Sequence, residues 1–157
     1  MILYHGTNEV FDKIDLKKSK PNKDFGRGFY LSPTYSQAME MAKTKVEQLE
    51  SGAPVVMLFE VDEDRMNKLN ILRFESYSED WARFILLNRK NDRNEQVHDY
   101  DVVFGPIAND RVGVQLWKYE NHTIDLSTLT ANLHNMKGIT FQYFFGTEWA
   151  ISMLKRL

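Results

Sequence analysis

Apolar and polar positions along the chain alternate between two periods, and the switches between them mark the elements. Ile2 to His5 is a short apolar run that predicts a strand ending at Gly6-Thr7, where a turn begins. A polar loop over Lys17 to Asp24 leads through Phe25-Gly26-Arg27-Gly28 into Phe29-Tyr30-Leu31, an aromatic strand. From Thr34 to about Glu50 the period becomes helical, with Ala38, Met41, Ala42, Val46 and Leu49 on one stripe. Ser32 or Thr34 can cap this helix, Pro33 sits near its first turn and Gly52 supplies a stop. Pro54 to Val61 is a continuous apolar run and reads as a buried central strand.

A further strand is expected over Leu69 to Phe74, then a helix from Ser78 to about Asn88 carrying Trp81, Phe84 and Ile85. Lys90 to Glu95 is charged and turn-rich, which predicts an exposed loop. Tyr100 to Phe104 reads as a strand stopped by Gly105-Pro106, after which Asn109-Asp110 introduces a helix with Val112, Leu116 and Tyr119 on one side. Leu126 to Leu133 is expected to be helical, Ile139 to Phe145 to be the last strand, and Thr147 to cap a final helix through Leu154. Strands and helices alternate without the regular beat of a doubly wound sheet, so the pattern predicts a single α+β domain over 1–157.

Composition changes this picture little. Apolar residues at 43% and aromatics at 13% support a hydrophobic core without staples. The chain has no cysteine, which excludes disulfides, thiolate metal sites and thiol nucleophiles. No signal-peptide pattern and no apolar run of roughly 20 residues is seen, so a soluble cytoplasmic protein without a membrane partner is expected. A net charge of -2, from 20 basic and 22 acidic residues, argues against broad electrostatic capture of nucleic acid. The Lys17-Lys18-Ser19-Lys20 cluster is the one candidate patch, and a solvated loop is its favoured reading.

Several chemistries are absent. There is no phosphate loop, no GxGxxG, no HExxH and no Gly-x-Ser-x-Gly elbow. His98, His122 and His134 lack metal-ligand spacing, so packing or surface roles are expected and no metal is predicted. Two segments are more informative. In Leu3-Tyr4-His5-Gly6-Thr7 a histidine ends a strand beside a glycine that lets a ligand approach the backbone, and Thr7 offers a hydroxyl at the same edge. In Asp24 to Ser32, Tyr30 presents a flat face for a heteroaromatic ring and Arg27 a guanidinium for phosphate. Either segment alone is ordinary, a histidine before a turn and an aromatic core strand.

Together, and with two later stretches, they resemble the ADP-ribosyltransferase superfamily in its His-Tyr-Glu branch, the one containing diphtheria toxin and the poly(ADP-ribose) polymerases. The closer likeness is to a bacterial family of uncharacterised small proteins with that fold. The matching stretches are LYHGT, DFGRGFYLSP with Gln37-Ala38, DYDVVFGPIANDRV and FQYFFGTEWAISML, in that order from Leu3 to Leu154. The resemblance implies a split β-sheet core with flanking helices, with NAD as a substrate and no metal. It implies that His5 bonds ribose hydroxyls, that Gly6 backbone groups hold the carboxamide, and that Tyr30 stacks on nicotinamide with Ser32 in the same pocket. Thr7 and Arg27 join this NAD-binding set.

The third triad position departs from the pattern, because Gln142 stands where the resemblance implies glutamate. An amide can bond a ribose hydroxyl but opposes cationic charge only through its dipole, and losing one such stabiliser commonly costs about 10²–10³ in rate. Glu148 is the nearest replacement, although its place after Thr147 favours helix capping. Glu60 has no motif support. Asn109, Asp110 and Arg111 either cap the following helix or line the cleft rim; Asp101 is a candidate to fix that loop, and Arg89 is a secondary candidate.

The resemblance therefore implies a mono-ADP-ribosyltransferase moving ADP-ribose from NAD to a protein or nucleic-acid acceptor. It further implies a toxin held by an antitoxin protein. The alternatives are an NAD or ADP-ribose binding module without catalysis and an NAD glycohydrolase. Acceptor choice is expected to reside in the loops Lys17 to Asp24 and Lys90 to Asp99.

Overall fold

A computed structural model describes residues 1–157. Seven strands and six helices follow in the order β1 (Ile2–Thr7), β2 (Phe29–Leu31), α1 (Tyr35–Leu49), β3 (Val55–Val61), α2 (Glu63–Met66), β4 (Ile71–Arg73), α3 (Glu79–Arg89), β5 (Val102–Pro106), α4 (Asp110–Glu120), α5 (Leu126–His134), β6 (Phe141–Phe145), α6 (Glu148–Ser152) and β7 (Leu154–Arg156). A 3-10 turn at Leu16–Lys18 interrupts the first long loop. The domain is α+β, with a three-stranded sheet β1-β3-β7 and a four-stranded sheet β2-β6-β5-β4. All pairings are antiparallel except that of β4 with β5. No helix is long and apolar enough to cross a membrane.

The helix starts are written in local chemistry. Asp62, Ser78, Asn109, Asp125 and Thr147 each accept a hydrogen bond from the backbone N–H three residues on, satisfying a donor the helix cannot use internally. α1 is the exception. Thr34 makes no side-chain cap there, and Ser32 instead folds its hydroxyl onto the backbone of Thr34.

Period-two alternation along the strands divides the core in two. Phe29, Leu31, Tyr143 and Phe145 face Leu3, Met57 and Phe59 between the sheets. On the other face of the larger sheet, Val103 and Phe144 meet Trp81, Ile85, Leu116 and Leu129 from α3, α4 and α5. α1 packs on the outer face of β1, where Ala38 and Ala42 are buried and Gly6 has no side chain to hold the helix off.

Two expectations need correction. The last helix does not reach Leu154: it stops at Ser152, and Leu154–Arg156 form β7 along the open edge of β3. The pairing satisfies that edge, and the Leu154 side chain packs into the inter-sheet core. Nor do Gly105 and Pro106 stop β5, since they pair with Gln142 and Phe141. Proline is tolerated because β4 has already ended and the far side of β5 needs no N–H at that point. Gly105 lies against Phe25 and Phe74, leaving little room for a side chain.

Candidate active site

The two sheets touch through a single bridge, Tyr4 with Ser32, closed by Tyr4 N–H to Ser32 O at 2.9 Å and Ser32 N–H to Tyr4 O at 2.7 Å. Beyond it β1 and β2 part, and the gap is the site. His5 spans the parting: its Nδ1–H donates to the Tyr30 carbonyl oxygen at 2.8 Å, replacing the backbone bond the diverging strands cannot make. With Nδ1 committed as donor, the imidazole carries its lone pair on Nε2. Its ring stacks on Phe29 at 4.3 Å between centroids. Burial, with Lys45 and Lys23 adding repulsion, lowers the His5 pKa to about 4 against the pull of the Tyr30 bond, so the ring is neutral at physiological pH.

Gly6 is explained by the same geometry. Because Tyr4 turns its N–H and C=O towards Ser32, the Tyr4 and Gly6 pairs with β3 are the non-hydrogen-bonded ones. Gly6 therefore presents one donor and one acceptor to the gap. Its missing side chain serves helix packing, for a methyl there would collide with the Ala38 carbonyl of α1.

Tyr30 is held by its hydroxyl, which donates to Gly26 O at 2.7 Å and accepts Phe25 N–H at 3.0 Å. Burial raises its pKa well above the ordinary phenol value, so it stays protonated. Phe144 meets the ring edge-on at 5.5 Å, and the Lys23 ammonium lies 5.2 Å from its centroid. Gln142, on the same face of β6 as Phe144, is buried and makes no side-chain hydrogen bond within the protein.

These residues border one cleft in two lobes. The first, about 330 Å³, is lined by His5, Gly6, Tyr30, Ser32 and Gln142 on the sheet side and by an α1 stripe of Gln37, Met41, Thr44, Lys45 and Gln48. Gln37 ties that helix across the gap, donating to Phe141 O at 2.9 Å. The second lobe, about 190 Å³, extends past Thr7 and Phe29 under the 3-10 turn. Both lobes share His5, Lys23, Tyr30 and Lys45. The sizes suit a small organic ligand.

A family model described as a protein of unknown function, DUF3990, matches residues 1–156. The chain belongs to DUF3990. No curated protein matches it.

Other residues singled out in the DUF3990 sequence lie elsewhere. Arg27 lines a separate cavity of about 310 Å³ with Asn88 and His98, and its buried Nε has no partner. Asn109 caps α4 through Val112 N at 3.0 Å, and Asp110 shares a shallow surface hollow with it; neither borders the cleft, and nor does Arg111. Glu148 is exposed in the first turn of α6, beyond the opposite end of β6 from Gln142, which fits capping. Glu60 lies 3.8 Å from Lys155 on the surface. Asp101 does not fix the loop before α4: at the other end of β5 it accepts from Thr147 Oγ1 at 2.6 Å and from Asn70 N at 3.0 Å, tying the start of α6 to the start of β4. Arg89 pairs with Asp24 at 2.7 Å.

No carboxylate lines the lobe that contains Gln142. Sequence reasoning missed Lys23, Thr44, Lys45 and Gln48. For the three on α1 the one signal was helical spacing with Gln37 and Met41, whereas Lys23, in a loop, gave none.

Proposed function

We propose that this protein is an NAD-dependent mono-ADP-ribosyltransferase with an ADP-ribosyltransferase-like split sheet, acting on a protein or nucleic-acid acceptor. The observation that carries the reading is that His5, Gly6, Tyr30 and Gln142, the residues the resemblance selects, border one cleft at the parting of two sheets. The donor and acceptor of Gly6 match a carboxamide, which has one acceptor and donors of its own. The neutral His5 Nε2 accepts from a ribose hydroxyl, and the Tyr30 ring receives nicotinamide. Gln142 bonds the neighbouring ribose hydroxyl.

In the reaction the bond from the ribose anomeric carbon to the nicotinamide nitrogen breaks. Its electron pair neutralises the pyridinium, and an oxocarbenium-like sugar develops. An acceptor lone pair then bonds the anomeric carbon, and its proton passes to solvent because no carboxylate stands in this lobe. Charge stabilisation comes from the Gln142 dipole alone, so transfer is slow. The same absence of a carboxylate favours a second reading, a module that binds NAD or ADP-ribose without cleaving it.

The test is incubation with NAD labelled in its ADP-ribose half, alone and with cell lysate, following nicotinamide release and labelled acceptor. Transferase activity predicts both, abolished in His5→Ala. Nicotinamide without labelled acceptor identifies a glycohydrolase, and NAD binding without nicotinamide identifies the binding module. Binding of neither NAD nor ADP-ribose overturns all three. The toxin reading predicts growth arrest on expression, relieved by the same substitution.

A further inference from the structure

Where the two lobes share their lining, the cleft is bordered by two lysines that form no ion pair. Lys23, from the loop before β2, and Lys45, from α1, line both lobes, and neither forms an ion pair. Asp24, the carboxylate nearest in sequence, is held by Arg89 at 2.7 Å. The second lobe adds Lys13 and Lys18 against Glu9 and Asp15, so cations outnumber acids there as well. Burial first, and then repulsion from Lys45 and Lys20, lowers the Lys23 pKa below the ordinary lysine value against the pull of Asp24. Like charges gathered in a cleft that lacks acids in one lobe are an arrangement an anion would relieve.

Position narrows the kind of anion. A ligand that occupies both lobes meets His5, Lys23, Tyr30 and Lys45 where the lobes adjoin, because these four residues line both. Two ammonium groups there match a linker carrying two negative charges. Lys23 also lies 5.2 Å from the centroid of the Tyr30 ring, so a flat ligand ring stacking there competes with it. We propose that Lys23 and Lys45 form a diphosphate-binding waist, and that Lys23 exchanges the face of Tyr30 for a phosphate when a two-lobed ligand enters. This rests on the reading of the cleft as the NAD site. It adds a selectivity rule: ligands with a diphosphate linker are preferred over the same rings without one.

Calorimetry on the full chain with four probes tests this, using inorganic pyrophosphate, ADP-ribose, NAD and nicotinamide riboside. Lys23→Met and Lys45→Met should each weaken pyrophosphate and ADP-ribose about tenfold, the loss of one charge-assisted contact. Lys23→Arg and Lys45→Arg should retain most of that binding. Lys23→Met should tighten nicotinamide riboside severalfold, because the competitor for the Tyr30 face is gone while no phosphate contact is lost. A merely structural lysine would move both ligands in one direction. Unchanged ADP-ribose affinity in both methionine variants, or a same-direction shift for nicotinamide riboside, overturns the proposal. If NAD binds wild type and is lost in His5→Ala but ignores both lysine variants, the NAD reading stands and the waist fails. If pyrophosphate binding depends on the lysines while nicotinamide riboside does not bind, the waist stands and the NAD reading fails.

Discussion

His5 and Tyr30 are joined by one hydrogen bond, Nδ1–H to the Tyr30 main-chain oxygen at 2.8 Å, made where β1 and β2 diverge. The bond sets the imidazole tautomer and ties the parted strands in a single contact. The two side chains leave their strands on opposite faces, His5 towards Phe29 and Tyr30 towards Phe144, and the gap lets both reach the same cleft. The residue that ties the parted strands thus also lines the cleft between them.

The depressed His5 pKa makes stability pH-dependent. In the unfolded chain histidine takes up a proton near pH 6.5, whereas folded His5 does so only at about 4. Stability from this group is complete above 6.5 and falls as pH drops towards 4, by up to about 3 kcal/mol. His98 is lowered too, chiefly by burial, and adds in the same direction. Urea midpoints measured at intervals across that window should fall with pH in wild type and fall less in His5→Gln; parallel curves would contradict the assignment.

Gln142→Glu should raise nicotinamide release by on the order of 10²-fold, because it places a carboxylate in a lobe that has none and that Lys23 and Lys45 also line. The measurement is initial-rate nicotinamide production by both proteins at saturating NAD. An unaltered rate would mean that Gln142 does not face the reacting ribose.

Tyr30 has two separable parts. Tyr30→Phe removes the bonds to Gly26 O and Phe25 N–H and should cost about 1–3 kcal/mol of stability while preserving the ring face. Tyr30→Ala removes the face as well. Denaturant titration should rank both variants below wild type, whereas NAD affinity should drop at least tenfold in the alanine variant only. Equal loss of affinity in the two would point to loop order, not stacking.

Gly6→Ala should destabilise by on the order of 3 kcal/mol, since the added methyl collides with helix backbone that no side-chain rotation can move. Thermal melting reads this directly. A melting temperature like that of wild type would show that α1 shifts freely on β1.

Much of this architecture is legible in the sequence because its elements are long enough to display a period. α1 and α3 repeat their apolar stripes over several turns, and β3 is an unbroken apolar run. β7 is not legible, because Leu154-Lys155-Arg156 is a strand only by virtue of the β3 edge beside it. Gly105-Pro106 misleads in the opposite sense, for its turn chemistry is neutralised by the end of β4. In the site, the grouping of His5, Tyr30 and Gln142 was accessible through motif order. Lys23 and Lys45 were not, since only tertiary contact brings the loop and the helix to one waist.

Phe144 is clasped between two glycines, for a methyl on either Gly28 or Gly146 would strike its ring, and that ring meets Tyr30 edge-on. Of the two glycines around Arg27, Gly28 therefore serves the seating of an aromatic pair, while Gly26 lies against Asn88.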